Sequence, residues 1–171
     1  HGSGEIKLAK TLSNSRMESE QIVTSIKSHK QKILELQDIT QKQMPENSAA
    51  IAHARSYGDL RENAEFSAAK ERQKFLRRRK LEIERELNGV AAIRFNTDDA
   101  DVHTVKPGRE LTLKDIQSNV RSKYFLLGAW DGDPDKGRLS SETKLGKILI
   151  GKKQGDTVFS DETKLLIEKV A

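Results

Sequence analysis

Two hydrophobic rhythms divide the chain. Across residues 5–43 single aliphatics (Leu8, Leu12, Ile22, Ile26, Ile33, Leu36 and Ile39) stand in a polar background with no glycine or proline after Gly4. This spacing predicts a helix, with a break near Ser13-Asn14-Ser15, where Ser13 has the chemistry to cap a helix that begins there. Pro45 bends or restarts the helix, and Ala49, Ala50, Ile51, Ala52 and Ala54 carry it on across residues 46–57. Beyond Gly58, Phe66, Ala69, Gln73, Leu76, Lys80, Ile83 and Leu87 recur by threes and fours. That is a heptad seam with two polar members, and Asn88-Gly89 has the residues of a helix C-cap. A helix from Gly58 to Gly89 would measure about 45 Å at 1.5 Å per residue. The short turn forces it to pair antiparallel with the segment before it. The expectation is an antiparallel coiled-coil hairpin with its turn at Gly58.

After Gly89 the apolar runs shorten and alternate with turn residues. Residues 93–95 read as a first strand, and 96–107 as a polar linker carrying Asp98, Asp99 and Asp101. Short strand patterns follow at 110–113, 124–127, 157–159 and 164–170, with one short helix at 145–150. The fold class is therefore α+β: a helical hairpin over residues 1–92, a linker and first strand over 93–108, and a small antiparallel-sheet domain over 109–171.

Composition narrows what this architecture is for. Charged residues make up 33% and aromatics 5% of 171 residues, which suits an exposed helical arm on a small globular body better than one large core. The formal charge of +5 permits contact with nucleic acid or an acidic surface without demanding it. There is no cysteine, so disulfides and thiolate metal sites are excluded, and a reducing, cytoplasmic setting fits. No apolar run approaches membrane-spanning length, so no membrane partner is expected. The opening His1-Gly2-Ser3 has no methionine and looks like a scar, so the natural protein is expected to extend upstream.

The candidate chemistry lies at the hairpin turn, Tyr57-Gly58-Asp59-Leu60-Arg61-Glu62-Asn63-Ala64-Glu65-Phe66. Gly58 suits the left-handed position that closes a helix. Asp59 and Glu62, three apart, project from the same end of a helix that starts here. Asp-x-x-Glu before a helix is also a capping box, the commoner reason for such a pair. A helix N-terminus favours ionised carboxylates but competes with a bound cation. The tip by itself would hold Mg²⁺ poorly and would need ligands from a partner. Downstream, Lys70, Lys74 and Arg77 form a basic stripe with Arg72 beside it and Glu71 as their one acid, whereas Arg78 and Lys80 have Glu82 and Glu84 one turn on. The like-charged spacing of Lys70 and Lys74 is mildly unfavourable, which fits an anionic partner such as a nucleic-acid backbone. The four histidines are scattered, and no nucleophile elbow, phosphate loop or dinucleotide fingerprint is present. Asp131-Gly132-Asp133-Pro134-Asp135 imitates a calcium loop but has Lys136 where the glycine belongs, so an acidic turn is expected.

The tip run, from Ala54-Arg55-Ser56 through Ser67-Ala68-Ala69-Lys70-Glu71, resembles the signature of the GreA/GreB type of transcript-cleavage factors. Pro45-Glu46 falls where that family often has Pro-Glu. Leu127-Gly128-Ala129-Trp130-Asp131-Gly132-Asp133-Pro134 and Leu145-Gly146-Lys147-Ile148-Leu149-Ile150-Gly151 are similar to its second domain. The likeness covers about residues 30–171 in one colinear order. It implies a coiled-coil hairpin followed by an FKBP-like domain that docks on bacterial RNA polymerase. By the same resemblance the hairpin enters the polymerase secondary channel, where Asp59 and Glu62 help hold a catalytic Mg²⁺ shared with the polymerase. The polymerase then cleaves backtracked nascent RNA, so the chain stimulates catalysis and is not itself an enzyme, and no small-molecule substrate is implied. Arg55, Lys70, Arg72, Lys74 and Arg77 would face the extruded RNA, and Asp131, Asp133, Pro134, Ser140, Thr143 and Lys144 fall in the docking region. The family usually has Ser-Pro where this chain has Thr143-Lys144. That departure, with the unmatched first 30 or so residues, motivates an alternative: a non-catalytic channel-binding inhibitor. A prolyl isomerase or chaperone is suggested by the FKBP-like domain alone, and the chain's single Trp leaves little to line a proline pocket.

Overall fold

The computed structural model describes residues 21–96 and 100–171. The expected break and cap at Ser13, and the aliphatics Leu8 and Leu12, lie outside the described residues. Two compact units result. Among the described residues, one comprises 29–89, and the other joins 21–28 to 90–96 and 100–171.

The first unit is the helical hairpin. Helix α1 (Ile26–Asp38) runs into a π-helical segment (Ile39–Gln43) and then α2 (Met44–Arg55); α3 (Ala64–Gly89) returns. The π segment answers to Pro45. Proline has no N–H to give the preceding turn, and the backbone slips there to a wider spacing, the Met44 N–H reaching the Ile39 carbonyl. The seam is as the periodicity predicts. Ile39, Leu76 and Ile83 form a buried cluster flanked by Leu36, Met44 and Leu87. Nearer the tip, Ile51, Ala54 and Ala69 are buried, with small residues letting the helices approach. Asn47, also buried, donates its side-chain amide to the Ala69 carbonyl at 3.1 Å, so its burial is hydrogen-bonded. Cross-hairpin ion pairs, Lys32–Glu86 at 2.7 Å and Arg79–Glu35 at 2.7 Å, flank the seam. With 26 residues, α3 spans about 39 Å rather than 45 Å, because it starts at Ala64 and not at Gly58. Its end differs too. Gly89 is absent from the positive-φ glycines, and the chain passes directly into strand β2 (Val90–Ile93) instead of closing through a left-handed cap.

The second unit corrects the helical reading of residues 22–25. Ile22–Ser25 is strand β1, paired in parallel with β2 in the register Ile22 to Val90 through Ser25 to Ile93. Its β-branched run Ile22-Val23-Thr24 favours extended backbone, and Thr24 is fully buried. The remaining strands are β3 (Arg109–Asp115), β4 (Arg121–Leu127), β5 (Arg138–Ser140), β6 (Thr157–Ser160) and β7 (Thr163–Val170), ordered β5-β4-β3-β7-β6. The sheet is mixed, not purely antiparallel, since β4 and β5 run parallel. Alternation along β3 puts Leu111 and Leu113 inside, where they join Val105, Leu126, Leu149, Val158, Ile167 and Val170. Val105 lies in the stretch expected to be linker. Its N–H donates to the Lys152 carbonyl at 2.8 Å and its carbonyl accepts from Gly151 N–H at 2.9 Å. One short helix, α4 (Lys144–Leu149), covers the core with Leu149. Gly146 is required there, because a Cβ would fall 2.3 Å from the Ser140 carbonyl oxygen.

Candidate functional site

The hairpin tip is built from α2 outward. The Tyr57 and Gly58 amides still reach back to the Ala54 and Arg55 carbonyls, at 3.3 and 3.2 Å, as the helix unwinds. Gly58 then takes φ of +94°, a conformation a side chain resists although the surrounding space is open. Asp59 Oδ1 accepts from the Arg61 amide at 2.9 Å, an Asx turn. The capping of α3 falls to Asn63, whose Oδ1 accepts from the Phe66 amide at 3.0 Å while its Nδ2 donates to the Ala54 carbonyl at 2.7 Å. One side chain thus caps the returning helix and ties it to the outgoing one. This corrects the expectation that Asp59 and Glu62 form the capping box at the start of that helix. They sit in the turn ahead of it, exposed, with Asn63 in the capping position. Tyr57, Asp59, Glu62, Asn63, Ala64 and Glu65 line an open hollow of about 550 Å³.

The chemistry available is that of hard, anionic oxygen donors. Two carboxylates suit Mg²⁺, which commonly takes one or two protein carboxylates and completes its shell with water and phosphate oxygens. Among the described residues no group of three or more His, Asp or Glu comes together to hold a metal ion. The donor set at the tip fits a shared site, to be completed from outside.

The five basic candidates all lie on the hairpin. Arg55 ends α2 with its guanidinium 5.8 Å from the centre of the Phe66 ring. Lys70 bonds the neutral Gln73 at 3.0 Å, Arg72 bonds Gln43 at 2.9 Å across the hairpin, and Lys74 meets Glu71 at 3.3 Å with both side chains largely exposed. Arg77 is exposed beside a small hollow of about 70 Å³ lined by Met44, Asn47 and Gln73. Farther from the tip the charges interlock. Arg79 contacts Glu35, Glu82 and Glu86, and its guanidinium is held above its ordinary pKa, first by the Glu35 hydrogen bond. Arg78–Glu82 and Lys80–Glu84 pair one turn apart, as their spacing predicts.

The candidates in the second unit divide into two kinds. The Asp131 carboxylate accepts from the Ser25 amide at 2.8 Å, the Ser25 and Ser28 hydroxyls at 2.5 Å, the Thr24 hydroxyl at 3.3 Å and the Gly128 amide at 3.0 Å. Burial works to raise its pKa, but the Ser25 and Ser28 hydrogen bonds and the backbone amides outweigh it and hold the group below the usual carboxylate range. Gly128 permits this approach, since a Cβ there would meet Thr24 Cα at 2.4 Å. Ser140 is buried and donates to the Ala129 carbonyl at 2.8 Å. Thr143 caps α4 by accepting from the Gly146 amide at 3.0 Å. These three hold the turn together. Asp133, paired with Lys136 at 3.0 Å, Pro134, and Lys144, which pairs with Asp161, face outward. The calcium-loop resemblance is resolved by Asp131, whose oxygens serve β1 and the start of α1.

Sequence reasoning missed Asn63 and the Thr24-Ser25-Ser28 set. Asn63 carried a signal, since asparagine is as good an N-cap as aspartate. Nothing in the sequence links Ser25 to Asp131.

Residues 8–91 match the family described as "Transcription elongation factor, N-terminal", and residues 100–164 match "Transcription elongation factor, GreA/GreB, C-term". Over 124 residues the chain is 41% identical to a transcription elongation factor GreA of Acidiphilium cryptum (strain JF-5), covering 72% of this chain and 78% of that one. A GreA of Borreliella burgdorferi (strain ATCC 35210 / DSM 4680 / CIP 102532 / B31) is 33% identical over 136 residues, 80% of this chain but 15% of a much longer one. Among solved structures, the GreA factor homolog 1 protein of Thermus thermophilus aligns with a TM-score of 0.39 at 14% identity, covering 89% of this chain and 99% of that one.

Proposed function

The chain belongs to the GreA/GreB family of transcription elongation factors, and from that premise we propose that it acts on bacterial RNA polymerase by stimulating cleavage of backtracked nascent RNA. The observation that carries this reading is the arrangement at the tip. Asn63 caps α3, so Asp59 and Glu62 stand exposed and without capping duty at the end of a two-helix arm. In this reading the arm enters the polymerase secondary channel and the two carboxylates contribute oxygen ligands to a Mg²⁺ shared with the polymerase's own acids and an RNA phosphate. That ion, when bound, supplies activation of water and neutralisation of charge on the phosphate. The chain supplies placement. The seam stiffens the arm, the Asx turn orients Asp59, and Arg55, Lys70, Arg72, Lys74 and Arg77 meet the phosphates of the extruded strand, their local neutralisation being weaker than that of Arg79. Bond cleavage belongs to the polymerase, and this chain is its activator. Asp133, Pro134 and Lys144 are the outward-facing docking candidates of the second unit, held in place by Asp131, Ser140 and Thr143.

The test is a stalled, backtracked bacterial elongation complex at millimolar Mg²⁺, incubated with and without the protein. The expected result is release of a short 3′ fragment, lost on Asp59→Ala or Glu62→Ala while polymerase binding persists. Binding with slowed synthesis and no RNA shortening would overturn the reading in favour of a channel-blocking regulator.

A further inference from the structure

We propose that Tyr57 stacks on the nucleobase of the backtracked RNA 3′ end and so orients the strand beside Asp59 and Glu62. This rests on the cleavage reading above and names the substrate group that the tip recognises. Tyr57 is a large aromatic left 61% exposed. It lines the same open hollow as Asp59 and Glu62, of about 550 Å³.

The ring is held in place before anything binds. His53 lies one helical turn back, on the same face. Tyr57 Oη and His53 Nε2 are hydrogen-bonded at 2.9 Å, and the two rings meet edge to face with centres 5.1 Å apart. Fixing the ring through its hydroxyl and one neighbouring ring, with the side chain still 61% exposed, leaves room for a stacking guest and lowers the ordering cost of stacking. A base is the fitting guest. Asp59, Glu62 and Glu65 line the hollow with the ring, which disfavours an anionic group there, whereas any base presents a neutral π-face that stacks without sequence preference. The contact would place the base against Tyr57 and leave the adjoining phosphate toward the two carboxylates, where a bridging cation is required.

The test compares the wild type, Tyr57→Ala, Tyr57→Phe and His53→Ala at saturating protein, so that docking affinity does not enter. Each is assayed on complexes whose backtracked 3′ nucleotide carries its base or is abasic. For the wild type, removing the base should slow cleavage by about 5- to 150-fold, the span that alanine substitution gives for base–aromatic stacking. Tyr57→Ala should be slower by a similar factor and insensitive to the abasic change. Tyr57→Phe should keep most of the base dependence, and His53→Ala should lose part of it. Base dependence that persists undiminished in Tyr57→Ala would overturn the proposal and assign the ring to a contact with the polymerase channel. A wild type that binds but releases no fragment would overturn the cleavage reading itself, and this inference with it.

Discussion

Two acidic turns in this molecule share a composition and differ in use. At the hairpin tip, Gly58 is followed by Asp59, Glu62 and Glu65; in the second unit, Gly128 is followed by Asp131, Asp133 and Asp135. Asp131 is wrapped by hydroxyls and amides from Thr24, Ser25, Ser28 and Gly128, and its charge is satisfied within the protein. At the tip the satisfying groups are fewer. One backbone amide reaches Asp59, and Asn63 takes the helix-capping position that would otherwise have occupied an acid. A carboxylate's role is thus set by who donates to it. A full set of donors makes it a structural clasp, and a sparse set on an exposed turn leaves it available to a cation.

The sharpest way to break this contrast is Asp131→Ala. It removes the acceptor from three hydroxyls and two backbone amides and should cost roughly 2–3 kcal/mol, discounted for partial exposure, as a fall in the denaturation midpoint of the second unit. Asp59→Ala, by contrast, should stay within about 0.5 kcal/mol of wild type, as exposed substitutions do. Equal destabilisation by both would erase the distinction. Next in size is Asn63→Ala, which removes the α3 cap and the tie to Ala54 and should cost about 1–2 kcal/mol. Circular dichroism on thermal melting should register that loss in the hairpin, while Asn63→Asp, which keeps the cap but not the amide donor, should recover part of it.

A pH series sharpens the contrast further. The folded-state pKa of Asp131 is depressed, so its contribution is present above the unfolded value of about 3.9 and is lost as pH falls through the lower folded value. The stability gap between wild type and Asp131→Asn should therefore be constant near neutrality and close below about pH 4. A gap that widens on acidification would contradict the assigned hydrogen bonds. The smallest effect belongs to the basic stripe. Lys74→Gln should change stability by no more than a few tenths of a kcal/mol, because its pair with Glu71 is exposed. It should still weaken protection of the extruded RNA, more at low salt than at high.

Much of this was legible in the chain because it depends on local periodicity. The seam from Phe66 to Leu87, the strands around Leu111, Leu126 and Ile167, and the short helix at Leu145 all follow from spacing and turn residues. What was not legible depends on partners distant in sequence. Ile22–Ser25 reads as the continuation of a polar helix until Val90–Ile93 is available to pair with it. Two cap-competent residues, Asp59 and Asn63, stand four apart, and only the turn geometry after Gly58 decides between them. Asp131 reads in the sequence as part of an acidic turn in the docking region and not as a clasp, because its five donors come mostly from a segment more than 100 positions earlier.

The most direct test measures RNA cleavage and thermal stability on the same preparations of wild type, Asp59→Asn with Glu62→Gln, and Asp131→Asn. The tip pair should lose fragment release from backtracked complexes with its melting temperature unchanged, whereas Asp131→Asn should melt earlier yet still support cleavage at temperatures where it remains folded. Undiminished RNA cleavage in the presence of the tip double variant would show that Asp59 and Glu62 have no part in it.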